Sequence, residues 1–240
     1  MALPMNATPT YSMIIPSTGK TVKFRPFLIK EEKALLIAQQ SEQIPVMIDT
    51  LKNVIINCTL DKIDADSLAI FDMEYMFTQI RAKSVGENVE LFLKCDEDHG
   101  EDNKKAVVKY NLDLSSIAVT KDPEHTNKIE LFGDVGVVMK YPSFSSLQKL
   151  KNLDTDNLDA VFEIVAECIE YIYNNDEIFH AAEQKPEELM EFLNNLTSDQ
   201  FVKLQRFFST MPKITKDIEY GCPVCSKRFK KTLEGIESFF

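Results

Sequence analysis

Between residues 11 and 27 apolar and polar positions alternate: "YSMII", the turn residues "PSTG", then "KTVKFRPF", where Val22 and Phe24 flank Lys23 and Arg25 follows. A period of two marks a half-buried strand, so this stretch predicts a hairpin. At Ile29 the period changes to that of a helix. Ile29, Lys33, Leu36 and Ile37 recur at helical spacing in "IKEEKALLIAQQS", and Met47, Leu51, Val54, Ile55 and Cys58 form a clearer stripe in "IPVMIDTLKNVIINC". A third helix is predicted from near Asp72 through "MEYMFTQIRAKS", with Met73, Met76, Phe77 and Ile80 on one face. Alternation returns in "NVELFLKC" (88–95) and "KKAVVKYNLDL" (104–114), a second hairpin joined by the acidic loop "DEDHGEDN" (96–103).

The order then repeats. "KIELFGDVGVVMKYPSF" (128–144) predicts a hairpin, and its "VMKYPSF" parallels "VKFRPF"; "LDAVFEIVAECIEYIYN" (158–174) predicts a helix whose "IVAEC" parallels "VIINC". "TSDQFVKLQRFFSTMPK" predicts another, opened by Thr197 and Gln200 in a capping-box relation. "EYGCPVCSKRFKKTL" (219–233) closes the series as strand, cysteine loop and strand. The expected fold is α+β in two pseudo-repeated halves, residues 1–115 and 116–240, each a hairpin, helices and a cysteine-bearing hairpin. Chance alternation of helices and hairpins is the competing explanation.

If the two cysteine hairpins face each other, Cys95 and His99 meet Cys222 and Cys225. The C-x3-H and C-x2-C half-sites then supply three thiolates and one imidazole, a closed zinc-ribbon-like set for structural Zn2+. Two other readings of Cys222 and Cys225 stay open: a redox pair, or unligated cysteines at a turn. A redox C-x-x-C normally opens a helix, whereas "SKRFKKTL" is basic and strand-like, and iron of the rubredoxin type asks for four thiolates. Cys58 and Cys168 lie on apolar helical stripes and read as core thiols. His125 and His180 read as solvated loop or surface residues that could substitute as a fourth ligand. "DKIDADSL" lacks the Gly and the closing Glu of a calcium loop.

Composition narrows the function classes. With 27 Lys and Arg against 38 Asp and Glu, the net charge of −11 opposes a phosphate backbone, so no nucleic acid partner is expected. No apolar run approaches the length of a membrane-spanning helix and no signal peptide opens the chain, so no membrane association is expected and a cytoplasmic setting is. The odd count of 5 cysteines argues against a disulfide framework. With only 7 glycines there is no phosphate-cradling loop, and neither H-E-x-x-H nor G-x-S-x-G occurs, so a non-enzyme is expected.

"IPSTGKTVKFRPFLIKEEKALL", "FDMEYMFTQIRAKSVGE", "GVVMKYPSF" and "EYGCPVCSKRFKKTLEGIESFF" together resemble the baseplate hub assembly proteins of T-even-like bacteriophages, over about Pro9 to Phe240. The resemblance implies a non-enzymatic role in building the central hub of the tail baseplate. Its partners would be other phage baseplate hub proteins, in the host cytoplasm during assembly and then in the virion tail. The family's first hairpin tip is also a C-x2-C knuckle; here Asp98 stands at the second cysteine and His99 follows. His99 is the natural replacement, Asp98 keeps the spacing, and loss of metal is the third outcome. The terminal "IESFF", with Ile236, Phe239 and Phe240, is a candidate partner contact, unless these side chains pack on the chain's own body. "FRPFLIKEEK" is a second candidate, on resemblance only. The alternative functions are a transient assembly chaperone absent from the virion and a thiol-disulfide oxidoreductase using Cys222 and Cys225. Homo-oligomer formation stays open.

Overall fold

Tyr11–Ile14 (β1) and Thr21–Phe24 (β2) pair antiparallel, Tyr11 opposite Phe24, in a computed structural model that describes residues 8–143, 146 and 158–235. Three helices follow: Ile29–Gln40 (α1), Ile44–Cys58 (α2) and Ile70–Val85 (α3). Asn88–Lys94 (β3) and Val107–Asp113 (β4) form the second predicted hairpin. The chain then runs through Ala118–Thr120 (β5), Lys128–Phe132 (β6), Val135–Met139 (β7), helix Leu158–Glu167 (α4), Ile169–Asn174 (β8) and Glu177–His180 (β9). Helices Pro186–Asn194 (α5) and Ser198–Thr210 (α6) precede the last hairpin, Lys213–Gly221 (β10) and Arg228–Glu234 (β11). The described residues are thus mixed α+β, with six α-helices and four small antiparallel sheets.

Contacts divide the chain into two compact units. Among the described residues, the first takes those up to Ala65, Phe71–Thr120 and those from Lys213 to Gly235; the second takes Asp66–Ile70 and those between Lys121 and Pro212. The last hairpin therefore belongs to the unit that holds β1 to β5, not to that of the segment that precedes it.

In the first unit the two cysteine hairpins share a core. Leu93 of β3 and Leu112 of β4 pack in one cluster with Ile214, Ile218 and Tyr220 of β10 and Leu233 of β11, and β5 extends that sheet in the order β11-β10-β5. The turn of the first hairpin is tied to α3: the fully buried carboxylate of Asp72 accepts from the Ser17 backbone N–H at 2.9 Å and from the Ser17 hydroxyl. Asp72 sits in the first turn of α3, where the helix dipole favours an anion.

A second buried carboxylate, Glu31, accepts from Arg25 Nη2 at 2.9 Å and from the Leu28 N–H at 2.8 Å, while the same Arg25 nitrogen donates to the Asn57 carbonyl at 3.0 Å. Burial opposes ionisation of Glu31, but the hydrogen bonds and charge of Arg25, Leu28 and Lys30 outweigh it and hold the carboxyl below its ordinary 4.5. Its contribution to stability is therefore full above pH 4.5 and is lost as the pH falls through the lower folded value. Chemical denaturation across acid pH should show a smaller loss of stability for Glu31→Gln than for wild type; parallel curves would contradict the assignment.

In the second unit the sheet order is β6-β7-β8-β9, all antiparallel, covered by α4, α5 and α6 through Val165, Leu193, Leu204 and Phe207. The single helix expected over 158–174 is corrected here. The helix ends at Glu167, and "IEYIYN" becomes β8, paired with both β7 and β9. Two β-branched and two aromatic residues in six suit a pleated surface better than a helix. Asn175, with φ 53°, supplies the left-handed residue that a tight two-residue hairpin turn requires.

His125 is also corrected. It is buried, not solvated: Nδ1 lies 3.0 Å from Thr210 Oγ1 and Nε2 3.1 Å from Tyr141 Oη, and the ring packs against Tyr141 and Phe207. His180 is exposed, as expected.

Two backbone hydrogen bonds recur in the two units. The Arg25 N–H donates to the Cys58 carbonyl at 2.9 Å, and the Lys140 N–H donates to the Cys168 carbonyl at 2.8 Å, so each strand exit is tied to a buried cysteine at a helix end.

On β8 the hydroxyl of Tyr173 is buried without a hydrogen-bond partner among the described residues and lies over Gly136, where a Cβ would also fall 2.6 Å from the Ile129 carbonyl oxygen. Only glycine tolerates that approach. Tyr173→Phe should raise stability by about 1 kcal/mol, because it removes a desolvated, unpaired hydroxyl. Lower stability in urea denaturation would contradict this.

Candidate metal centre

The two hairpins of the first unit carry the candidate ligands at their tips. β3 leads directly into Cys95, and β10 into Cys222, and a hydrogen bond from Tyr220 Oη of β10 to the Lys94 carbonyl of β3, 3.1 Å long, holds the two approaches together. Tyr220 stacks on Phe229 of the partner strand β11 with centroids 5.5 Å apart. The strands are thus aligned by apolar packing just behind the tips.

Sγ of Cys95, Cys222 and Cys225 and a ring nitrogen of His99 all lie within 4.8 Å of one another. Cys95 Sγ and Cys225 Sγ are 4.0 Å apart, and Cys222 Sγ and His99 Nε2 3.5 Å. A tetrahedral Zn2+ held at about 2.3 Å by sulfur and about 2.0 Å by imidazole would set its ligand atoms roughly 3.5–3.8 Å apart. The observed spacings fit that cage. Cys222 is buried, Cys95 and His99 are half-buried and Cys225 is exposed.

Each tip is a knuckle in which a backbone N–H two residues on donates to the first thiol: Glu97 N–H to Cys95 Sγ and Val224 N–H to Cys222 Sγ, both at 3.4 Å. The second tip is closed by Cys222 N–H to the Lys227 carbonyl and Ser226 N–H to the Cys222 carbonyl, both at 2.9 Å. Ser226, directly after Cys225, has φ 59°, and Gly100, directly after His99, has φ 56°. The left-handed residue therefore follows His99 and not Asp98 by the rule set at the other tip. Asp98 has another task, since its Oδ1 accepts the Gly100 N–H at 2.9 Å and shapes that turn.

The thiols do not ionise alike. Burial opposes a charge on Cys222, yet the N–H groups of Cys225 and Val224 and the neighbouring thiols of Cys225 and Cys95 bring it down from 9.0 to about 6. Burial, reinforced by the other two thiols against the Glu97 N–H, pushes Cys95 up to about 11. One anion thus forms first and discourages the next, the behaviour of sulfurs close enough to share a cation. Lys227 forms an ion pair with Glu97, which holds its ammonium above the ordinary value, with Cys225 and Cys95 adding to the effect.

Neither remaining cysteine joins the cluster. Burial pushes Cys58 up to about 11 and Cys168 up to about 12, which makes both poor ligands and poor nucleophiles. His125 and His180 lie outside it as well. Cys222 and Cys225 sit between two β-strands, without the helix N-terminus that activates a redox C-x-x-C. The candidate contact residues Ile236, Phe239 and Phe240 lie outside the described residues. The left-handed turn at Ser226 carried no signal in the sequence, because serine is not a residue that marks such a position.

The family described as T4 bacteriophage base plate protein matches residues 8–240. The chain belongs to that family. No curated protein and no solved structure matches this baseplate protein. No helix among its described residues is long and apolar enough to cross a membrane.

Proposed function

We propose that this baseplate protein is a non-enzymatic scaffold in the assembly of the baseplate's central hub, and that Cys95, His99, Cys222 and Cys225 hold one structural Zn2+. The observation that carries the metal is the convergence of four ligand atoms within 4.8 Å from residues more than 120 positions apart in the chain. A closed set of three thiolates and one imidazole leaves no open coordination position, so the ion would fasten the fold and not act on a substrate. The chain would then present rigid surfaces to other hub proteins, first in the host cytoplasm and then in the tail.

The chain's organisation supports an internal duplication about the boundary between residues 115 and 116. The matching hydrogen bonds at Cys58 and Cys168, each joining a strand exit to a helix end, are the strongest sign of it. The division into compact units cuts across that boundary, so the last hairpin would have kept its partner tip in the first unit instead of folding within its own half.

The terminal "IESFF" remains the proposed partner contact, through Ile236, Phe239 and Phe240. Hub proteins should co-purify with the full chain and not with a chain ending at Gly235. Unchanged co-purification would remove that contact while leaving the metal site untouched. Mass spectrometry of purified virions separates a permanent part from a transient assembly chaperone: peptides of this chain in the particle support the first.

A further inference from the structure

The four-stranded sheet of the second unit has two edges, and they are treated differently. On β6 a register shift falls between Glu130 and Phe132, and Lys203 Nζ of α6 donates to the carbonyls of Glu130 and Leu131 at 2.9 and 3.0 Å. A bulge and a lysine are ordinary means of blunting an edge strand. β9 has neither. Among the described residues it pairs only with β8, and all four of its residues are exposed, with Ile178 at 56% and Phe179 at 41%. Two large apolar neighbours on an open edge point to opposite faces, so among the described residues each face of the strand keeps apolar surface exposed.

Charge narrows what could cover it. "IEYIYNNDEIFHAAEQ" (169–184) contains Glu170, Asp176, Glu177 and Glu183 and no Lys or Arg. Glu170, Asp176 and Glu177 are exposed and enter no ion pair among the described residues. A β9 edge meeting another β9 edge would set these carboxylates against each other. The complementary edge exists on the same chain. β11 closes the sheet β11-β10-β5 on one side, and its exposed Arg228, Lys230 and Lys231 make it basic. Lys230 pairs with Glu219 on β10, but Arg228 and Lys231 enter no ion pair among the described residues.

We infer that the β9 edge of one copy takes the β11 edge of a second copy, joining an acidic, apolar strand to a basic one. Such a contact is heterologous, so successive copies close into a ring or grow into a filament. Main-chain hydrogen bonds supply the attraction, Ile178 and Phe179 the apolar burial, and the opposed charges the orientation. The inference does not rest on the zinc reading.

Sedimentation velocity on the full, metal-replete chain tests it. At roughly 100 μM and roughly 50 mM salt the wild type should self-associate, and should dissociate as added salt screens the edges. Glu177→Lys and Lys231→Glu should each weaken association roughly tenfold or more. Mixing the two variants, or combining both changes in one chain, should restore it, because each then opposes unlike charges again. Circular dichroism and thermal melting confirm that every variant is folded. A wild type that stays monomeric overturns the inference, as does association that Lys231→Glu leaves intact, which would indicate a β9–β9 contact or another surface.

Discussion

Replacing Cys222 by Ser should abolish the binding of about one equivalent of zinc per chain and lower the melting temperature of the first unit more than any other single change at the tips. Cys222 is the buried member of the cluster and the thiol brought down to about 6, so at the proposed site its loss would remove the most readily ionised ligand. Structural zinc contributes about 10–16 kcal/mol apparent in finger peptides, comparable with the roughly 5–15 kcal/mol that stabilises a whole domain. A metal chelator should reproduce the effect on the wild type and add nothing to Cys222→Ser. The shared core of Leu93, Leu112, Ile218 and Tyr220 should keep the hairpins in partial contact, so the expected loss is of fixed tips before loss of the sheet. Differential scanning calorimetry with elemental analysis checks both quantities together. Melting that ignores both chelation and the mutation would contradict a structural metal.

The second large effect is expected far from the metal. Phe207 is 2% exposed, stacks on Tyr141 with centroids 5.6 Å apart and meets His125 at 5.1 Å and Phe208 at 5.3 Å. Phe207→Ala should cost about 3–5 kcal/mol, because the cavity is walled by rings that cannot collapse into it. The zinc content of the purified chain should not change, since all four proposed ligands belong to the first unit and Phe207 to the second. The pairing of results separates the two sources of stability. A loss below about 1 kcal/mol in denaturant titration would mean that the site repacks, contrary to the contacts described.

How much of this was legible beforehand depends on what each element offered as local signal. The hairpins at Tyr11–Phe24 and Asn88–Asp113 were readable because strict alternation and polar turns agree there. Helix α6 was readable from its cap: Thr197 N–H donates to Gln200 Oε1 at 2.8 Å and Gln200 N–H to Thr197 Oγ1 at 3.4 Å. The switch from helix to strand at Cys168 was not, because "VAECIEYIYN" is apolar at both periods and holds no Gly or Pro to mark the break. β9 and α5 were also missed. Pro186 at the start of α5, with Glu188 bonded back to the Lys185 N–H at 3.1 Å, was an available signal for the helix.

For the site, the four candidate ligands could be named by counting donors at hairpin tips, and their ligand atoms lie within 4.8 Å of one another. The sequence left His99 and Asp98 as alternatives; the positive φ of Gly100, matching that of Ser226, favours His99. The burial of His125 could not be read from its loop. Its partners, Thr210 and Tyr141, come from 85 and 16 residues away and are brought together only by packing.

X-ray absorption at the zinc edge of the purified chain tests the central claim most directly. Three sulfur neighbours at about 2.3 Å and one nitrogen neighbour at about 2.0 Å, with the nitrogen replaced in His99→Ala, is the predicted result. A shell of oxygen neighbours, or a spectrum indifferent to His99→Ala, would contradict it.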